Sequence, residues 1–191
     1  MQPPDPFGEG FGDLVAERLL RARTLLISGE IDRELETRVT AQLLALAAQS
    51  SDDITIHLNA YGDRVEPALT IHETIRSLGL RARMVALGSV AGSAVLVYVA
   101  APREDRCSLP HARFRLSEPR AEAGGSAEEL ETYAREVVRL HEEFCGRIAR
   151  ATGRPFELVE EDCRRHRALS AEEAVEYGLV GWIADRPGPG R

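Results

Sequence analysis

The sequence predicts an α/β protein, and three observations carry that reading. Short apolar runs of strand length alternate with longer segments whose apolar residues recur at helical spacing. A stretch of small residues, Gly88-Ser89-Val90-Ala91-Gly92-Ser93-Ala94, separates one such strand from an apolar helix. No internal repeat interrupts the succession of β and α units, so residues 11–185 read as one domain.

The elements follow in order. Residues 14–22 form a short amphipathic helix pattern, and residues 24–27 a compact apolar strand closing at Ser28-Gly29. Residues 34–49 place Val39, Leu43 and Leu46 on one stripe, which predicts a helix with a single buried face. Strand 54–58 is closed by Asn59-Ala60-Tyr61-Gly62-Asp63, residues with turn chemistry. Helix 65–78 and strand 82–87 come next, then the small-residue stretch and an apolar run over 95–101. Small residues at such a junction permit close backbone approach, and a helix N-terminus leaves amides free. In an α/β sheet this is a usual place for a binding or reaction site, although tight helix–sheet packing asks for the same residues. Residues 106–109 and 112–116 are short strand candidates. Ser126 with Glu129 forms a capping box that opens a long helix to about Ala151, and 154–162 continues helically after Gly153. Ser170 with Glu173 forms a second box; its helix ends at Gly178, and 179–184 reads as the last strand.

Composition narrows the function classes. A chain of 191 residues, 43% hydrophobic and 29% charged, can bury a core and is not of disordered type. A net charge of −7 argues against a sequence-independent grip on nucleic-acid backbone, and Tyr98, Trp182 and the Phe residues are too scattered for a stacking platform. The basic run Arg164-Arg165-His166-Arg167 reads as a solvated helix face. No stretch is apolar for long enough to span a bilayer, and the start lacks the charged and apolar regions of a secretory signal. Cys107, Cys145 and Cys163 are an odd count without paired spacing, which predicts no disulfide framework and a cytoplasmic location. Pro- and Gly-rich residues 1–10 and 186–191 read as a flexible arm and tail.

The run from Leu169-Ser170-Ala171-Glu172-Glu173-Ala174 to Tyr177-Gly178-Leu179-Val180 looks like the C-terminal signature of the proteolytic subunit of the ATP-dependent Clp protease. Further matches lie at Arg18-Leu19-Leu20, Ala41-Gln42-Leu43-Leu44, Leu58-Asn59, the Gly88 to Ala94 segment, Leu109-Pro110, Glu118-Pro119, Tyr133-Ala134-Arg135-Glu136 and Thr152-Gly153. Each patch is weak alone, but they occur in order, and the register holds without a gap from Asn59 to Val180. The resemblance implies a crotonase-like spiral of β-β-α units with a protruding handle helix, here about 120–151. It also implies heptameric rings, stacked in pairs around a proteolytic chamber and joined through the handle.

A serine peptidase needs a hydroxyl nucleophile, a base, and a carboxylate that orients the base. The resemblance places Gly92 at the nucleophile position, Ser117 at the base position and His166 at the acid position. Glycine has no side chain to attack with, and a serine hydroxyl is no effective base near neutral pH. The oxyanion-hole amides fall on Asp63 and Ser93, where the amides can persist while the Asp63 carboxylate opposes developing negative charge unless it points away. A rebuilt triad from Ser89 or Ser93 with His166 fails on direction: Ser93 lies roughly 100° round a helical turn from the nucleophile position. Cys163 and His166, with Asp162 or Glu161 beside them, could form half a metal site, but only His111 and Cys107 remain as further ligands, so no metal is expected. No motif for a cofactor is present.

In the same family a partner AAA+ ATPase inserts an apolar loop into aromatic-lined pockets between subunits. The positions that usually carry those aromatics are Thr55, His57, Ser77 and Cys107 here, and the N-terminal arm is short, so ATPase docking is expected to be poor. The resulting expectation is a catalytically inactive subunit with an assembly or regulatory role, partnered by itself or by active paralogous subunits. The alternative is a residual or repurposed serine hydrolase, or a crotonase-like acyl-thioester enzyme holding an enolate on the Asp63 and Ser93 amides with Asp63 or Glu118 as base.

Overall fold

Two strands that pair side by side set the plan of the molecule. The computed structural model describes residues 11–118 and 127–184. The first helix, α1 (Phe11–Arg21), leads into β1 (Thr24–Glu30), and α2 (Arg33–Gln49) into β2 (Ile54–Gly62). Helix α3 (Val65–Ser77) then precedes β3 (Ala82–Gly92) and α4 (Ala94–Tyr98). After a 3-10 turn at Arg103–Asp105 come β4 (Arg106–Ser108), β5 (Arg113–Arg115), α5 (Ala127–Thr152), α6 (Phe156–Arg164), β6 (Ala168–Ser170), α7 (Ala171–Tyr177) and β7 (Trp182–Ile183).

The seven strands form one sheet in the order β1-β2-β3-β4-β7, with β5 alongside the second half of β3 and β6 beyond it. Every pairing is parallel except β5 with β6. Leu25 and Ile27 of β1, Ile54, Ile56 and Leu58 of β2, and Met84 and Ala86 of β3 are buried on one face. Leu35, Val39, Leu43 and Leu46 of α2 and Ala68, Ile71 and Ile75 of α3 belong to the same core. Alternate residues on the other face are open, Leu26 at 50% exposure among them. Parallel sheets normally bury both faces, so this alternation marks an uncovered face in the isolated chain.

Local signals survive well. Asp32 caps α2 by accepting the Leu35 amide at 2.8 Å. The Ser170–Glu173 capping box closes in both directions, and Gly178 ends α7 in the left-handed conformation, its amide donating to Ala174. In the basic run, Arg164 and Arg165 pair with Glu161 on the outside of α6, as a solvated face requires.

Several boundaries differ from expectation. The predicted turn at 59–63 and most of the small-residue loop at 88–94 are strand, because parallel pairing continues through both. The run 95–101 gives only four helical residues, the last of α4, and 179–184 only the two of β7. Strand β6 was not foreseen; antiparallel pairing with β5 creates it. The Ser126–Glu129 capping box, the terminal arm and tail, and residues 120–126 of the handle lie outside the described residues. From Tyr133 to Arg139 helix α5 buries no residue, and burial begins at Leu140, so this helix extends off the body of the fold. Among the described residues no helix is long and apolar enough to cross a membrane.

Candidate functional site

The junction at the end of β3 is built by backbone. After an irregularity at Asn59, Ala60, Tyr61 and Gly62 pair with Val90, Ala91 and Gly92. The Asn59 side-chain oxygen bridges the irregularity by accepting the Ser89 amide at 2.9 Å. One residue beyond the pairing, the Ser93 amide donates to the Gly62 carbonyl at 2.8 Å. An amide held in this way cannot also receive a developing oxyanion. The Ser93 amide, one of the two expected oxyanion donors, is thus engaged in this fold, and the enolate pocket that the acyl-thioester alternative needs has one donor fewer. Asp63 is exposed one residue past the end of β2. Nothing in the sequence pointed to the Gly62 carbonyl as the occupant, since the pairing that delivers it joins segments 30 residues apart.

The segments that carry the three expected triad positions lie side by side in a row, β3, β5 and the lead-in to β6. Gly92 has a φ of +58°, and a β-carbon placed on it would overlap the Gly62 carbonyl oxygen and lie 3.3 Å from the Ser117 hydroxyl. Strands β5 and β6 pair Arg113 with Ser170 and Arg115 with Ala168, and the Leu116 amide donates to Arg167 at 2.9 Å. Past that bond the chain turns at His166, whose amide donates to Cys163, so the antiparallel register stops at Leu116 and Arg167. Ser117 is nearly buried beside Gly92, whereas His166 is exposed on the turn that precedes β6. Ser93 points elsewhere. Its Oγ takes the space that a β-carbon on Gly62 would need, beside Ile31, and has no hydrogen-bond partner among the described residues.

Buried polar groups hold this frame. The Asp162 carboxylate accepts from Arg167 at 3.0 and 3.1 Å and from the Tyr177 hydroxyl at 2.8 Å, which fixes the turn carrying His166. The Arg154 and Arg167 guanidiniums stand 5.2 and 5.3 Å from the Tyr177 ring. Burial, with the hydrogen bond to Asp162, pushes the Tyr177 hydroxyl upward, so it stays a neutral donor. His166 itself has a φ of +51°, and its amide donates to Cys163 at 3.0 Å. Beneath α4, His72 Nδ1 donates to the Leu96 carbonyl at 2.8 Å, and burial lowers its pKa, which keeps the ring neutral. The Tyr98 hydroxyl donates to Cys107 at 2.7 Å.

The possible metal ligands diverge. Cys163 is a buried free thiol pushed far up by the neighbouring Cys145 and by burial, whereas His166 is exposed. A thiol so far from ionisation is a poor ligand near neutral pH. Among the described residues no group of three or more His, Cys, Asp or Glu side chains converges on a metal position.

Of the four altered docking positions, three share the uncovered sheet face. Leu26, His57, Val85, Cys107 and Trp182 run across it in one register row, with Thr55 two residues before His57. Cys107 is buried, whereas Trp182 at the far end is 47% exposed. Ser77, at the end of α3, is exposed and donates to Thr74 at 3.0 Å. The row therefore keeps apolar ends, with His57 and the buried Cys107 on either side of Val85 between them.

A largely parallel sheet whose central strand β3 ends in small residues at a helix start, beside Ser117, defines an α/β protein. The chain belongs to the Clp protease family, whose model, described as Clp protease, matches residues 9–187. It is 42% identical over 165 residues to ATP-dependent Clp protease proteolytic subunit 3 of Rhizobium etli, covering 86% of this chain and 85% of that one. It is 38% identical over 172 residues to proteolytic subunit 2 of Pseudomonas aeruginosa, covering 90% of this chain and 86% of the relative. The solved structure of ClpP1 from Listeria monocytogenes matches with a TM-score of 0.79 at 37% identity, over 90% of this chain and 96% of that chain.

Proposed function

We propose that this chain is a catalytically inactive Clp protease subunit whose work is assembly or regulation, in a ring of its own or beside active paralogous subunits. The engaged Ser93 amide next to a side-chain-free Gly92 carries the reading. Peptide hydrolysis needs a nucleophile and a free oxyanion donor at that point, and both are missing together. Ser117 and His166 supply neither the base nor the acid in the roles the family assigns. The exposed length of α5, with Tyr133 and Val138 on it, supports the assembly half, because apolar residues on a protruding helix suit a subunit contact. The polar Thr55 and His57 on the open sheet face, in place of aromatic residues, support weak docking of an AAA+ ATPase on this subunit's own face. Such a subunit works in the cytoplasm, without a cofactor or metal.

The test is reconstitution of the full chain, alone and with an active Clp peptidase subunit. Native mass spectrometry is expected to find a ring-sized particle in at least one mixture. A fluorogenic peptide assay is expected to show no turnover by the chain alone. Monomer in every mixture sinks the assembly role, and turnover by the purified chain sinks the inactive one.

A further inference from the structure

A cavity on another side of the fold shares no residue with the Gly92 row. It lies between α3, the segment after α4, and the C-terminal part of α5, and has a volume of about 380 Å³. Arg76, Arg103, Arg106, Arg147 and Arg150 line it with His72, and no acidic residue does. Five guanidiniums around one cavity repel each other unless something negative sits among them.

Their existing partners leave much of that charge uncompensated. Arg147 is paired with Glu73 at 2.5 Å and with Glu143, both outside the lining. Arg103 donates to the Val175 carbonyl at 2.9 Å, a neutral partner. Arg76 and Arg150 have no ion pair among the described residues. Arg106 is the strongest sign. It is 1% exposed, donates from Nη2 to the Ala151 carbonyl at 2.8 Å, and leaves Nε and Nη1 without a partner. Burial lowers its pKa to about 10, which still leaves it charged at neutral pH. Glu104 acts on it through its charge but forms no ion pair with it among the described residues. A buried cation without a bonded counter-charge is costly, and its two unsatisfied donors call for a partner such as a bound anion.

We propose that this cavity binds a phosphate-bearing small molecule. Guanidinium forks match phosphate oxygens two at a time, and their number favours a multiply charged anion over a single carboxylate. The volume lies in the range of small-molecule sites. Arg76 and Arg150 supply the accessible contacts, Arg106 the charge at the floor, and Arg147 a wall held in place by its two glutamates. The inference stands independently of whether the triad row is inactive.

Calorimetric titration of the full chain with inorganic pyrophosphate, at ionic strength matched with sodium chloride, tests it. The expected result is saturable binding that falls at least tenfold in the Arg76→Gln/Arg150→Gln variant. Both residues are exposed, so the variant is expected to keep the wild-type circular dichroism. Arg33→Gln/Arg38→Gln on α2 makes the same change in net charge away from the cavity and is expected to leave binding intact. Equal weakening by both variants overturns the site, since diffuse charge then explains the binding. No saturable binding to wild type also overturns it. So does a loss of particle mass in the Arg76/Arg150 variant when wild type binds no pyrophosphate, which would assign the arginines to carboxylates of a second copy.

Discussion

The strand-end row at Gly92, Ser117 and His166 and the arginine cavity between α3 and α5 differ in how their polar groups are satisfied. At the row the backbone amides are already bonded, with the Ser93 amide on the Gly62 carbonyl and the Ser89 amide on the Asn59 side chain. In the cavity, donors are left over: Arg106 Nε and Nη1 have no partner, and five guanidiniums face no acid in the lining. The contrast teaches that capacity for a ligand follows unsatisfied groups and not the inherited location of a site. The amides at the end of β3 are taken up by the fold itself, while uncompensated charge has collected elsewhere.

The largest expected effect breaks the comparison at the row. The Gly92→Ser/Ser117→His/His166→Asp variant restores the side-chain types of a triad, but a β-carbon at 92 meets the Gly62 carbonyl and a left-handed backbone. We expect a loss of about 2–4 kcal/mol in urea denaturation and no peptidase activity. Activity with unchanged stability would show that the row is merely unfurnished and not closed. Asp162→Asn is next, weakening the pair with Arg167 and the bond from Tyr177. Because Arg167 is 45% exposed, the expected cost is about 2 kcal/mol, below that of a fully buried pair. A change under about half a kilocalorie would mean that the turn carrying His166 is held by other contacts.

A pH titration sharpens the comparison on the cavity side. His72 lines the cavity, and burial first, then Arg147 and Arg76, lower its folded pKa, against its bond to Leu96 and the charge of Glu73. The unfolded chain takes up the proton first. The His72 contribution to stability is therefore full above pH 6.5 and is lost as pH falls from there toward the folded pKa. Thermal melts of His72→Asn across that window are expected to show a shallower decline than wild type; an identical slope assigns the decline to other groups. The smallest effect belongs to Ser93→Ala. Its buried Oγ has no described partner, so removal is expected to change stability by ~0.5 kcal/mol or less, or to raise it slightly. A fluorophosphonate probe is expected to label none of Ser89, Ser93 and Ser117 in the folded chain.

Local rules carried the reading wherever the determining atoms are close in sequence. The Ser170–Glu173 box, the left-handed end at Gly178 and the buried stripe Val39, Leu43 and Leu46 depend on neighbours three or four residues away, and all are present. The ordered patches from Asn59 to Val180 also identified the family that the whole-chain match shows. Segments 59–63 and 88–94 were misread because glycine and small residues mean a turn only when no strand lies alongside. Here each lies beside the other, and parallel pairing converts both to strand.

By itself, the sequence determined the α/β class, the family, and which residue types stand at Gly92, Ser117 and His166. These are properties of composition and order. Only the tertiary structure decided that the Ser93 amide is occupied, that Leu26, His57 and Trp182 share one open face, and that Arg76, Arg106 and Arg150 meet around one cavity. The physical reason is the same in each case. A hydrogen bond or an electrostatic cluster depends on distances of a few ångströms, and between residues tens of positions apart the folded sheet and its packed helices set those distances.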